Sequence, residues 1–268
     1  MTVSLLLGIF IGALLGLTGA GGGILAVPAL VAGMGWSMQQ AAPVALIAVS
    51  GSAAIGALEG FRRKLVRYRA ALWMATIGVP FTSAGAAVAR NMSQRWLMGL
   101  FALVMLFVAF RLFRHGRADE AHENTAQVHK PGKLNPETGR FDWTGSIFLL
   151  VGAIGATTGF MTGLLGVGGG FVIVPLLRRY TNVPMHGIVA TSLCVIALVG
   201  AGGVVTALMH GAVLPLQICL LFSAATGIGM IIGRFLSSYL SPYKIQQGFA
   251  TVLVGVALLL LTKATSLI

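Results

Sequence analysis

Apolar stretches long enough to cross a lipid bilayer recur along this sequence and restrict what it can fold into. A helix needs about twenty residues to span a hydrocarbon core of roughly 30 Å. Only 9% of the residues are Asp, Glu, Lys or Arg, against roughly 25% in an ordinary soluble domain. The sequence therefore predicts an all-α polytopic membrane protein. The predicted spans are residues 39–59, 70–89, 96–113, 185–209, 214–233 and 245–262.

Two further apolar segments, residues 3–35 and 143–177, are longer than one crossing requires. Each is interrupted by a glycine cluster: the first cluster is residues 19–23 and the second is residues 166–170. A run of glycines disfavours a continuous helix, because glycine loses the most conformational freedom there. We therefore expect each cluster to end one short helix and to begin another.

The two halves of the chain are copies of each other. At a shift of 147 residues, the glycine clusters coincide, Pro28 coincides with Pro175, and the glycines upstream coincide as well. This pattern indicates an internal duplication. We expect residues 1–114 and 143–268 to form two membrane repeats, each with one glycine-broken segment followed by three spans. Residues 115–142 are polar and carry five of the six acidic residues, which predicts a solvent-exposed linker between the repeats.

The distribution of Lys and Arg predicts how the repeats are oriented. If the broken segments cross the membrane fully, the 18 basic residues divide 12 to 6 between the two sides. If each broken segment is a re-entrant hairpin, the division is 15 to 3. Positive charge collects on the cytoplasmic side, so we expect re-entrant hairpins, inverted repeats, a cytoplasmic linker and external termini. Inverted repeats with broken helices are a recurring transporter architecture.

Glycines in such a break leave backbone N–H groups free at a helix N-terminus, which favours an anion. Two hairpin tips that approach from opposite faces could share one negatively charged substrate without a membrane-embedded Arg or Lys. The candidate binding glycines are Gly19, Gly21, Gly22, Gly23, Gly166, Gly168, Gly169 and Gly170. Close helix packing is the alternative for glycines in general, and we prefer it for those spaced four residues apart upstream of the clusters.

Five polar side chains within or at the ends of predicted spans are candidates for binding substrate or carrying a proton. Ser50, Thr191 and Ser192 could complete the hydrogen-bond shell of an anion, although hydroxyls in membrane helices commonly bond to the preceding turn.

Glu59 is the one acid within a predicted span, and His210 lies at the corresponding end of the equivalent span in the second half. Either could carry a coupling proton. The alternatives are a helical ion pair between Glu59 and the arginines that follow it, and a hydrated turn at His210.

Several classes of function lack their motifs. A dinucleotide site needs a strand before its glycines, and a P-loop needs Gly-Lys-Ser/Thr after them. HExxH and GxSxG are absent, so we expect no enzyme, cofactor or metal site. The net charge of +12 would suggest nucleic acid in a soluble protein, but here the basic residues separate apolar runs. We expect the lipid bilayer and a small anion, not nucleic acid, as partners, and leave a homodimer open.

The clusters, Pro28 and Pro175, the Ala190–Leu193 run and the turn at His210-Gly211 together resemble the sulfite exporter TauE/SafE family of bacterial permeases. The resemblance covers essentially the whole chain. It implies movement of sulfite, sulfonates or sulfoacetate-like organic anions across the bacterial cytoplasmic membrane. The first half has Val44-Ala45 where Thr191-Ser192 would align, so a site that used those hydroxyls would be asymmetric.

The leading hypothesis is a secondary transporter that works by alternating access between the two glycine tips. An anion channel that uses the same tips is an alternative within transport. The alternative from another functional class is a membrane assembly factor that transports no substrate. The absence of sequence motifs does not exclude it, because such proteins need none.

Overall fold

The computed structural model describes residues 2–19, 21–115, 144–212, 214–237 and 239–266. The predicted linker, apart from His115, lies outside these residues, as do Ala20 of the first cluster and Val213 of the His210 turn. Within the described residues, the chain forms ten α-helices and a 3-10 helix. The α-helices are α1 (Thr2–Thr18), α2 (Ala26–Met34), α3 (Met38–Arg62), α4 (Tyr68–Asn91), α5 (Gln94–His115), α6 (Gly145–Leu165), α7 (Gly170–Tyr180), α8 (Met185–Met209), α9 (Leu216–Ser237) and α10 (Pro242–Ser266). The 3-10 helix, Gly22–Leu25, precedes α2.

Seven of the described helices are long and apolar enough to cross a membrane, namely α3, α4, α5, α6, α8, α9 and α10. Six of them coincide with the predicted spans. The seventh, α6, lies in segment 143–177, where the sequence predicted short broken helices. It continues for 21 residues because its chain break comes only at Gly166, which takes the left-handed conformation. The predicted all-α polytopic fold is confirmed.

The broken segment of each half packs against a spanning helix of the other half through small residues. A Cβ built on Gly12 of α1 would overlap the Thr226 carbonyl of α9. A Cβ built on Gly159 of α6 would likewise overlap the Gly78 carbonyl of α4. Such close backbone approach is what glycine permits between membrane helices. The glycines predicted to serve packing therefore do so, and they join the two halves of the chain.

The pair α3 and α8, which the duplication makes equivalent, runs antiparallel through the middle of the protein. Gly60, near the end of α3, lies against Ala190, near the start of α8. At the other end of the contact, Gly200 lies against Ser50. In contrast, α1 runs in the same direction as α9, because Gly8 lies beside Phe222 and Gly16 lies beside Met230.

Hydrogen bonds between helix ends define two ends of the molecule. We call them the α3-start end, where α3 begins, and the α8-start end, where α8 begins. At the α3-start end, Gln94 Oε1 at the start of α5 accepts a bond of 3.2 Å from Met38 N. Lys263 Nζ, near the end of α10, donates to the Val31 carbonyl at 3.2 Å, so α2 and α10 end there. At the α8-start end, Thr191 Oγ1 accepts a bond of 3.0 Å from Arg67 N, just before α4.

Candidate substrate-binding site

The first glycine cluster folds back on the end of α1. Gly19 takes the left-handed region with φ of 78°, and its N–H donates to the Leu15 carbonyl at 2.9 Å. Thr18 Oγ1 accepts a bond of 2.9 Å from Gly22 N and donates to the Leu14 carbonyl at 2.7 Å. The N–H groups of Gly19 and Gly22 are therefore satisfied within the segment itself.

The second glycine cluster is arranged differently. Gly169 has φ of 64° and is the N-cap of α7, and its carbonyl accepts from Val172 N at 3.0 Å and Ile173 N at 3.2 Å. In the described part of the chain, no hydrogen bond involves the N–H groups of Gly168, Gly170 or Phe171. The first N–H groups of a helix have no acceptor within it, which applies to Gly170 and Phe171 of α7, whereas Gly168 precedes the N-cap. All three residues are buried.

The two clusters, from opposite halves of the chain, meet on one side chain. A Cβ built on Gly23 lies 3.0 Å from Val49 Cγ1, and a Cβ built on Gly168 lies 3.1 Å from the same atom. Two reciprocal contacts flank this point. Gly19 lies against Val189 of α8, and Gly166 lies against Ala42 of α3. Val189 and Ala42 are themselves equivalent under the 147-residue shift.

The atoms nearest to the cluster glycines belong to uncharged residues. The nearest side chains to Gly19, Gly23 and Gly168 are valine, leucine and isoleucine. Next to Gly169 are the methyl group of Thr158 and the hydroxyl of Thr162. An anion at the clusters would therefore be held by backbone N–H groups, hydroxyls and the N-terminal dipole of α7.

The three predicted hydroxyls have different environments. Ser50 Oγ donates to the Leu46 carbonyl at 2.5 Å, the bond to the preceding turn that is common for such residues. Thr191 connects α8 to the start of α4 through Arg67 N. Ser192 is fully buried, and its Oγ has no hydrogen-bond partner among the described residues.

Ser192 lies on the face of α8 that contacts the clusters. Val189, three residues earlier, packs against Gly19, and Ile196, four residues later, packs against Gly168. Residues at these spacings share one face of a helix. Of the predicted hydroxyls, Ser192 is therefore the one on the face of α8 that contacts both clusters.

Sequence reasoning missed Thr158 of α6. Its side chain is fully buried, its methyl group lies against Gly169, and its Oγ1 has no hydrogen-bond partner in the part of the chain that is described. The duplication carried a signal for it, since Thr158 aligns with Ile11 just as Ser192 aligns with Ala45. A hydroxyl where the other copy is apolar marks a position at which the two halves differ in chemistry.

The candidates for proton coupling lie near the C-terminal ends of α3 and α8. Glu59 Oε1 is 2.8 Å from Arg63 Nη2, and Glu59 Oε2 is 3.0 Å from Arg234 Nε of α9. The helical ion pair weighed as an alternative is therefore present, and it extends to a second helix. His210 caps the exposed end of α8, where its Nδ1 lies 2.7 Å from the Thr206 carbonyl.

A cavity of about 260 Å³ opens at the α8-start end, between the end of α7 and the start of α8. Arg178 gives the lining a positive charge. Ile188 of α8 also lines the cavity, and the next residue of α8, Val189, packs on Gly19. The other lining residues are Thr181, Asn182, Val183 and Met185.

Residues 4–260 match the family described as sulfite exporter TauE/SafE. The chain is 27% identical over 253 residues to a probable membrane transporter protein of Xylella fastidiosa, covering 92% of this chain and 90% of that one. It is also 27% identical over 208 residues to a probable membrane transporter protein of Methanocaldococcus jannaschii, covering 75% and 70%. A probable membrane transporter protein of Bacillus subtilis is 25% identical over 219 residues, 78% of each chain. No solved structure matches the chain significantly.

Proposed function

The chain belongs to the sulfite exporter TauE/SafE family, and on this premise we propose that it is a secondary transporter for a small sulfur-containing anion. The observation that carries the proposal is the meeting of the two glycine clusters on Val49. Non-helical backbone at membrane depth is tolerated where it is buried in protein or lines a cavity. Backbone N–H groups concentrated at such a point favour a negatively charged ligand.

The proposed architecture is a pair of inverted repeats, each with a re-entrant hairpin. The antiparallel contact between the equivalent helices α3 and α8 supports inversion of the two halves. The first hairpin would consist of α1, the 3-10 helix and α2, since α2 ends where α3 begins. The second would consist of α6 and α7. Helix α6 alone is long enough to cross a membrane. The second segment is a re-entrant hairpin only if α7 leads the chain back to the side of the membrane on which α6 begins.

Alternating access follows from this arrangement. Hairpins that reach the centre from opposite sides expose a shared site to one side at a time when one of them shifts. The cavity at the α8-start end would then be the open approach in the conformation described here. Its Arg178 would attract an anion without binding it at the centre.

The proposal assigns different roles to the predicted polar residues. Ser192 and the cluster glycines would bind the anion. Thr191 and Ser50 are already hydrogen-bonded, so they would contribute only after giving up those bonds. Glu59 and His210 would couple transport to protons by changing partners at the two helix ends.

We expect the α8-start end to face the cytoplasm, as the positive-inside rule requires. In a variant without Cys194 and Cys219, a cysteine at Lys64 should resist an impermeant maleimide in intact cells and react after lysis. A cysteine at Asn91, at the other end of α4, should react in intact cells. The reverse labelling pattern would contradict the orientation, and equal labelling of both sites in intact cells would contradict α4 as a single span.

Uptake by purified protein in liposomes tests the function itself. Labelled sulfite or ethanesulfonate should enter the vesicles with saturation kinetics, and each should inhibit entry of the other because they compete for one site. Entry of neither above the rate of protein-free liposomes, with a folded and inserted protein, would refute the proposed substrate class.

A further inference from the structure

We propose that the anion site is one-sided: the N-terminus of α7 binds the anion together with the hydroxyls of Thr158 and Ser192, and the site takes a monoanionic oxyanion group. This inference rests on the proposed function and specifies its substrate class. The site includes the buried N–H groups of Gly168, Gly170 and Phe171. The first cluster supplies the opposite wall.

Several other buried hydroxyls donate to the carbonyl of the preceding turn, as Ser52 Oγ does to Ala48 at 2.7 Å and Thr226 Oγ1 does to Phe222 at 2.6 Å. Among the described residues, Ser223 Oγ of α9 is a third buried hydroxyl without a partner. Thr158 and Ser192 could make the same bond and do not, although both are fully buried. A buried polar group without a partner is destabilising. Thr158 lies against Gly169 at the N-terminus of α7, and Ser192 shares a face of α8 with Ile196, which lies against Gly168. We take these two unpartnered groups to indicate a ligand that accepts hydrogen bonds.

The duplication shows that this arrangement belongs to one half only. The positions equivalent to Thr158 and Ser192 are Ile11 and Ala45, both fully buried and apolar. The N–H of Gly22 in the first cluster is bonded to Thr18 Oγ1, and Ile24 N donates to the Gly21 carbonyl at 3.1 Å. The first cluster therefore lacks hydroxyls equivalent to those of Thr158 and Ser192, and we assign it to closing the site.

The charge of the ligand follows from the atoms nearest to the cluster glycines, because the three atoms closest to a Cβ built on each of Gly19, Gly21, Gly22, Gly23, Gly166, Gly168 and Gly169 belong to uncharged residues. A helix N-terminus supplies about half an elementary charge, which compensates a large part of one negative charge but a small part of two. The cost of removing an ion from water grows with the square of its charge, so a dianion costs about four times as much. Sulfonates and hydrogen sulfite carry one negative charge and fit such a site, whereas sulfate carries two and does not.

Valine at Thr158 and alanine at Ser192 remove each hydroxyl with little change of shape. Thr226→Val and Ser52→Ala are matched controls, because they remove equally buried hydroxyls that already have a partner. Binding of ethanesulfonate, sulfite and sulfate is measured on the purified full-length protein by calorimetry, together with the melting temperature of the ligand-free protein.

We expect Thr158→Val and Ser192→Ala each to weaken ethanesulfonate binding about tenfold or more. The same two variants should leave the melting temperature of the ligand-free protein unchanged or raise it, since each removes an unsatisfied group. The controls should bind ethanesulfonate within about twofold of the wild type and should melt lower. Sulfate should bind at least about tenfold more weakly than ethanesulfonate, and sulfite should bind more tightly as the pH falls and it gains a proton.

If the wild type binds ethanesulfonate and neither variant weakens that binding, the one-sided site is wrong. The proposal of anion transport would still stand in that case. Sulfate binding as tight as ethanesulfonate would overturn the restriction on charge. A wild-type protein that binds none of the three anions would overturn the proposed function and this inference together.

Discussion

Leucine in place of Gly159 is expected to abolish the folded protein. Even a Cβ at this position would overlap the Gly78 carbonyl oxygen and approach its Cα at 2.7 Å. Both obstacles are backbone atoms of α4, so no side-chain movement relieves the overlap, and α6 must separate from α4. Overpacking a well-packed interior costs about 1–3 kcal/mol and sometimes more, and this contact joins the two halves of the chain. We expect loss of the monodisperse protein in size-exclusion chromatography.

Gly99→Leu is the matched control, since a Cβ at Gly99 of α5 meets no atom within 4 Å. This variant should be produced and should melt like the wild type. A folded Gly159→Leu protein with a normal melting temperature would mean that α4 and α6 do not pack as described. Equal loss of both variants would instead show a general intolerance of leucine at helical glycines.

Alanine in place of Gly168 is expected to abolish transport while the protein remains folded. The added methyl would lie 2.5 Å from Ile196 Cγ2 and 3.1 Å from Val49 Cγ1. Ile196 and Val49 are β-branched and stiff, so Ile196 must shift and the melting temperature should fall, but no backbone atom is among the obstacles, in contrast to Gly159→Leu. The methyl would lie between the clusters and beside the N–H groups that we assign to the anion. We expect anion uptake to fall by more than about tenfold, which corresponds to a loss of about 1.4 kcal/mol or more in the interaction with the anion.

Gly51→Ala is the control for this variant, because a Cβ at Gly51 of α3 meets open space. It should transport at the wild-type rate. Normal uptake by a folded Gly168→Ala protein would contradict the assignment of the second cluster to substrate binding. Gly22→Leu is unsuitable for this purpose, since a Cβ there overlaps the backbone of Leu15 and the variant would lose stability.

The positions of the helices could be predicted from the sequence because spanning helices have a fixed apolar length. Six predicted spans coincide with α3, α4, α5, α8, α9 and α10. The position of the break after α6 could be predicted, but the length of α6 could not, because the apolar residues before Gly166 fit a spanning helix and a half-helix equally well. The packing role of Gly12 and Gly159 could be predicted from their spacing, whereas their partner helices depend on tertiary contacts.

The candidate site could be predicted only in part. The glycine clusters were visible as duplicated motifs, but nothing in the sequence indicated that Gly23 and Gly168 would share Val49 as a neighbour. Ser192 and Thr191 are adjacent and looked equivalent, yet a helix turns by about 100° between neighbours, so they face different partners. Thr158 was missed because a threonine near helical glycines looks like ordinary packing, and only its unpartnered hydroxyl in the folded protein distinguishes it.

Counterflow in proteoliposomes tests the central claim most directly. Vesicles that contain purified wild-type protein are loaded with unlabelled ethanesulfonate and diluted into labelled ethanesulfonate at a lower concentration. A carrier with alternating access returns to the outside faster when its site is loaded, so we expect the label to accumulate transiently above its equilibrium level. Gly168→Ala vesicles should show no accumulation. Entry of label that internal ethanesulfonate does not accelerate, or that never saturates, would contradict alternating access, and absence of any anion movement would contradict anion transport itself.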